Sequence, residues 1–233
     1  MVNLIPRITQ KFRYETLKRI DSPTGRTYKP VDRDVPAVPS VTTILSGTKD
    51  MEALDAWKAR VGEEEAKRIK EEAAYVGTKM HLVIECLLAR EPLLMDCDDL
   101  SLLGYEMGFK LVNTYFQNLQ EVWASEVSLY YPGLYAGTTD LVAIYRGKLA
   151  IVDFKQSLRP KRKQYIQDYF HQLAAYAAAH DVAHGTNIDF GAILVAVQDG
   201  TTQEFTTAGD EFQEYKRQWM ERVKQYREKN GLA

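Results

Sequence analysis

The sequence predicts an α/β fold, a mixed central sheet of about four or five strands with helices on its faces. Three observations predict it. Two apolar runs, Leu141–Tyr145 and Leu149–Val152, flank Arg146-Gly147-Lys148, which reads as a β-hairpin. Met80, Val83, Ile84, Leu87 and Leu88 recur at helical spacing just before that region. The central part then runs helix, strand, strand, strand, helix, strand.

From the N-terminus, Phe12–Ile20 reads as a strand and Ser22-Pro23-Thr24-Gly25 as a turn into Arg26–Lys29. Val35–Pro39 is stiffened by its prolines into an extended piece, and Ser40 or Thr42 can cap a short helix after it. Met51–Ala74 is helical and densely charged, with a narrow apolar stripe of Leu54, Trp57, Val61, Ala66 and Ile69. Its Lys58, Arg60, Lys67, Arg68 and Lys70 alternate with Glu63-Glu64-Glu65. That pattern suits a solvated helix held by ion pairs, or a protruding helix that guides a nucleic-acid strand. Gly77-Thr78 opens the next helix, on which His81 and Glu85 stack one turn apart.

Glu91–Ser101 reads as an acidic loop and Leu102–Leu119 as a helix carrying Met107, Leu111, Tyr115 and Leu119. Glu121–Tyr131 alternates as a strand, and Pro132-Gly133 turns into the hairpin. Beyond it lie the basic run Arg159, Lys161, Arg162 and Lys163, then an alanine-rich helix over Lys163–His180. The basic run fits either phosphate-backbone binding or a solvated loop. On the helix, Tyr165, Tyr169, Gln172 and Tyr176 fall on related turns, so Gln172 and Tyr176 share a face. Ile193–Val197 is a buried strand, Asp199-Gly200 turns, Thr201–Thr206 returns, and Ala208–Glu228 closes the chain with Phe212, Tyr215, Trp219 and Val223 inward.

Composition bounds the function. The 233 residues suit one domain, or one with a sizeable insertion, and a hydrophobic content of 45% supports a full core. A net charge of −2 gives no global basic field, so nucleic-acid contact must come from local patches. Two cysteines, Cys86 and Cys97, fit a reducing compartment rather than a disulfide scaffold. No apolar run spans a membrane, and no secretory signal or glycine-rich nucleotide loop is evident.

The candidate chemistry lies at one end of the hairpin. Asp140 opens its first strand, Asp153 closes its second, and Lys155 follows on the same face as Asp153. Antiparallel pairing brings the two carboxylates together. Close carboxylates repel unless a proton or cation lies between them, and oxygen ligands of this kind suit Mg²⁺ or Mn²⁺. A hard metal beside a lysine activates water and stabilises phosphoryl charge.

Four motifs in this order resemble the PD-(D/E)XK nuclease superfamily in its RecB-like branch. They are Gly77-Thr78-Lys79-Met80-His81 with Glu85, Gly137-Thr138-Thr139-Asp140, Asp153-Phe154-Lys155, and Gln172-Leu173-Ala174-Ala175-Tyr176. Pro39-Ser40-Val41-Thr42, Trp57-Lys58 and Tyr145–Leu149 extend the likeness to the group of mitochondrial genome maintenance exonucleases and their phage relatives. The resemblance implies a restriction-endonuclease-like core over residues 77–233 with its C-terminal helix, and N-terminal strands and a helical arch over 1–76. It implies that His81, Asp140, Asp153 and the Phe154 carbonyl ligate a divalent ion, Mg²⁺ or Mn²⁺. Lys155 would orient water and the scissile phosphate, Gln172 and Tyr176 would position the DNA backbone, and Glu85 and Glu126 would give support. Gln156 stands where the family usually has threonine, which alters local hydrogen bonds. Relatives with an iron–sulfur cluster use four cysteines, so two cysteines imply no such cluster here.

The function expected is therefore a metal-dependent DNA exonuclease preferring single-stranded or end-bearing substrate. A duplex-end exonuclease or endonuclease of the same fold is the near alternative, and a catalytically silent nucleic-acid-binding or recombination protein the distant one. No membrane partner is expected. The expected location is the cytoplasm of a bacterial or phage-infected cell, with a mitochondrial location left open.

Overall fold

The computed structural model describes residues 5–232. A five-stranded mixed sheet forms its centre, ordered β4-β5-β6-β7-β8. Its strands are β4 (Leu119–Tyr131), β5 (Tyr135–Tyr145), β6 (Lys148–Ser157), β7 (Phe190–Val197) and β8 (Thr202–Ala208). The β6–β7 pair is parallel and the other neighbours are antiparallel. This is the mixed α/β core expected. Every residue of β7 is buried, as an interior strand with helices over both faces requires.

One face of the sheet is covered by α1 (Val41–Gly47), α5 (Gln167–His184) and α6 (Gly209–Lys229). Phe212, Tyr215, Trp219 and Val223 of α6 are buried there, as their spacing predicts. The other face is covered by α3 (Glu63–Ala89) and α4 (Asp99–Tyr115), through Met80, Ile84, Met107 and Leu111. A small sheet of β1 (Leu17–Ser22), β2 (Gly25–Pro30) and β3 (Val38–Pro39) packs beside β4 and β5 through Tyr28, Val38, Tyr130 and Ala136. Ser40 caps α1, its hydroxyl accepting from the Thr43 amide at 2.9 Å.

Several boundaries differ from the expectation. The strand expected at Phe12–Ile20 begins only at Leu17. The helix expected to start at Gly77 is already under way: α3 runs unbroken from Glu63, and the expected division between residues 76 and 77 falls inside it. The chain instead breaks at Gly62, where φ is 88°, between α2 (Glu52–Val61) and α3. A mid-helix glycine costs roughly 1 kcal/mol. Burial of Val76, Met80, Val83 and Ile84 around it outweighs that cost. The helix expected over Leu102–Leu119 occupies 99–115, because Asp98 caps it earlier, accepting from the Ser101 amide at 3.0 Å. A 3₁₀ turn at Phe116–Asn118 then hands Leu119 to β4. The alanine-rich helix expected over Lys163–His180 also sits later, as α5 at Gln167–His184, after a 3₁₀ turn at Lys163–Tyr165.

Candidate active site

The hairpin forms as read. Arg146 and Gly147 hold φ of 50° and 75°, the positive pair that a tight two-residue turn needs. The β5–β6 ladder runs from Tyr145↔Lys148 to Leu141↔Val152 and stops there. Asp140 and Asp153 come next, so they sit where the two strands splay rather than at strand ends, since both strands continue. Asp140 bridges the gap: its Oδ2 accepts the Phe154 amide at 2.8 Å.

α3 brings its imidazole to this point. His81 Nε2 lies 3.1 Å from the Phe154 carbonyl, which can only accept, so Nε2 carries the proton. Nδ1 then faces Asp140 Oδ2 at 3.8 Å and Glu126 Oε1 at 3.9 Å. His81, Glu85 and Glu126 each place a ligand-capable atom within 4.8 Å of the others. The structure thus gathers His81, Asp140, Glu85 and Glu126 on one open groove of about 630 Å³, together with Lys155, Gln156 and Tyr169.

Asp153 stands behind this group. It is fully buried, and its carboxylate is ion-paired with the Lys155 ammonium. Burial raises the Asp153 pKa while Lys155 pulls it back. Burial works against charge on Lys155, but Asp153 and Asp140 outweigh it and hold the lysine pKa above its usual value. The ammonium therefore persists, at the groove wall and 5.3 Å from the centre of the Tyr169 ring.

Glu126 is strained. It adopts φ of 51° within β4, uncommon for a residue with a side chain, and the strict alternation read for that strand breaks there. Burial, then Asp140, Glu85 and Asp153, push its pKa up to about 8. Burial likewise raises Glu85. An imidazole nitrogen facing crowded carboxylates is stable once a proton or cation lies between them. Oxygen donors with one imidazole suit Mg²⁺ or Mn²⁺, so the residues present fit a divalent ion.

Gln172 and Tyr176 share a face as expected, with Gln172 Nε2 3.4 Å from the Tyr176 hydroxyl. Tyr176, however, is 3% exposed and packs under β5. A Cβ added at Gly137 would lie 2.9 Å from Tyr176 Cε1, which explains the glycine three residues before Asp140. Tyr169 is the α5 residue that lines the groove. Its spacing to Gln172 and Tyr176 was the available signal, but spacing alone does not tell which tyrosine is open. Gln156 donates to the Ala73 carbonyl of α3 at 3.1 Å, tying β6 to the histidine helix.

Among proteins of known sequence, residues 37–231 match the model of the PD-(D/E)XK nuclease superfamily. The chain is 31% identical over 215 residues to mitochondrial genome maintenance exonuclease 1 of Homo sapiens, covering 86% of this chain and 60% of that protein. The Mus musculus protein of that name is 30% identical over 207 residues, covering 83% of this chain and again 60% of its own length. The chain thus spans about 60% of the length of these relatives. In fold, it resembles the crystal structure of a candidate exonuclease from Eubacterium rectale, with a TM-score of 0.50, 15% identity, and 70% and 69% of the two chains covered. With a family match that spans most of its length and a core of the expected topology, this chain belongs to the PD-(D/E)XK nuclease superfamily.

Proposed function

We propose that the chain is a divalent-metal-dependent DNA exonuclease that prefers single-stranded ends. The observation that carries the reading is the approach of His81 on α3 to Asp140 on β5, 3.8 Å apart, beside Lys155 in one open groove. The relatives named as exonucleases support it, although they are longer. His81, Asp140, Asp153 and the Phe154 carbonyl, with Glu85 and Glu126 beside them, would hold the ion. When bound, Mg²⁺ or Mn²⁺ supplies an acidified water and stabilises charge on the phosphoryl oxygens.

The protein's own groups do the rest. Lys155 offers a fixed ammonium to a phosphate oxygen and orients the water that attacks phosphorus. Its partner Asp153 keeps that ammonium charged. Asp140 holds the Phe154 amide, so the backbone under the lysine cannot swing. Tyr169 walls the groove, while Tyr176, being buried, acts by supporting β5 rather than by touching DNA. The arch of α2 and early α3 guides the strand. There Arg68 pairs with Glu65 and Glu72, but Lys58, Arg60 and Lys70 have no acidic partner among the described residues.

The test is purified protein on end-labelled single and double strands, with Mg²⁺ or with chelator. Single strands should shorten from an end only with the metal, and covalently closed circles should survive. Lys155→Ala should lower cleavage about 10²–10³-fold, as loss of a main stabilising group does, with binding largely kept. Undiminished turnover in that variant sinks the mechanism.

A further inference from the structure

β6 leaves the groove at Ser157, and residues 158–165 then carry Arg159, Lys161, Arg162 and Lys163 with no acid. Two large apolar side chains bracket the cations: Leu158 is 61% exposed and Tyr165 73% exposed. A single exposed tyrosine is ordinary on a protein surface. Here the backbone that presents it is fixed.

The Ser157 hydroxyl donates to the Arg159 carbonyl at 2.6 Å. The Gln203 side chain grips Lys161 from both sides, accepting its amide at 2.6 Å and donating to its carbonyl at 3.0 Å. The Tyr165 amide donates to the Arg162 carbonyl at 2.9 Å, and the next residue, Ile166, is buried in the core. An aromatic ring on a braced loop binds with little ordering cost. Of the cations, Lys163 pairs with Glu211, whereas Arg159, Lys161 and Arg162 have no acidic partner among the described residues. Tyr165 also precedes Tyr169 by four residues, in the 3₁₀ turn that leads into α5, and the Tyr169 ring lies by Lys155 in the groove.

We propose that residues 158–165 are a single-strand platform: Tyr165 stacks on a base just outside the groove, and Arg159 and Arg162 take the flanking phosphates. The inference rests on the nuclease reading and deepens it. Free π-faces are available on single strands, while bases in a duplex are already stacked, so the platform favours single-stranded substrate. The unpaired guanidinium groups supply the sequence-independent attraction to phosphate.

The experiment measures binding of a fluorescent single-stranded oligothymidylate in chelator, where no hydrolysis occurs, by anisotropy. Tyr165→Ala should weaken binding about tenfold, within the range for one stacked base, and Tyr165→Phe should keep it. An abasic oligomer of equal length should bind wild type and Tyr165→Ala alike. Arg162→Ala should reduce the slope of log affinity against log salt by about one, and Tyr165→Ala should leave that slope unchanged. Equal binding of the base-bearing strand by wild type and Tyr165→Ala overturns the platform alone, and leaves a protein partner as the patch's use. A matching loss on the abasic strand also overturns it. Failure of the wild type to bind any single strand overturns both this inference and the nuclease reading.

Discussion

Single residues decide how the groove is built. Gly137 lacks a side chain because buried Tyr176 fills its space, so Gly137→Ala should destabilise the fold by about 1–3 kcal/mol, an overpacking cost. The penalty should shrink in a Tyr176→Ala background, as a double-mutant cycle in urea would show. His180 offers a second test. It is fully buried, with Nδ1 2.8 Å from Thr186 Oγ1 and Nε2 3.2 Å from the Tyr14 hydroxyl. Burial, then neighbouring His184, lowers its pKa to about 4. The folded state therefore binds fewer protons than the unfolded chain between pH ~6.5 and 4. Stability contributed by neutral His180 is complete above pH ~6.5 and is lost as pH falls toward 4, on the order of 3 kcal/mol. Thermal melts across that window should show the loss, and a His180→Asn variant, already less stable at pH 7, should show a flatter profile.

At the scale of elements, the contact between α3 and α4 sets where His81 stands. A Cβ at Gly104 would lie 2.7 Å from the Val76 carbonyl, and one at Gly108 2.7 Å from the Met80 carbonyl, next to His81. Glycine to alanine in an open helix usually stabilises by up to about 1 kcal/mol. Here the sign reverses: Gly108→Ala should cost about 1–3 kcal/mol and, by shifting α3, should lower cleavage more than its stability loss at assay temperature explains. Chemical denaturation beside single-turnover rates checks this. These glycines carry no legible signal in the sequence, because their meaning lies in a neighbour far along the chain. The hairpin was legible because its information is local, in Arg146-Gly147 and two apolar runs. The Gly77 boundary was misread because local propensity is weaker than the burial of one whole helix face.

For the whole molecule, the sheet and its two helical layers, one of which carries His81, converge on crowded like charges. A divalent cation should relieve them. Mn²⁺ at a hundredfold excess over its Kd should add about 2.7 kcal/mol of stability, read as a rise in Tm that chelator reverses and Asp140→Asn removes. No shift in the wild type would mean that the groove holds no ion. Among the described residues no helix is long and apolar enough to cross a membrane.

The sequence by itself determined the kinds of element, the order of the central elements along the chain and the approach of Asp140 to Asp153 at the open end of a hairpin. It carried these because periodicity, turn chemistry and strand register act over a few residues. Tertiary structure alone decided that Asp153 is buried against Lys155, that Glu126 is forced into a strained backbone toward His81, and that Tyr169 rather than Tyr176 opens to the groove. Each of those outcomes depends on which side chains distant in the chain compete for one volume, and on the water that burial removes.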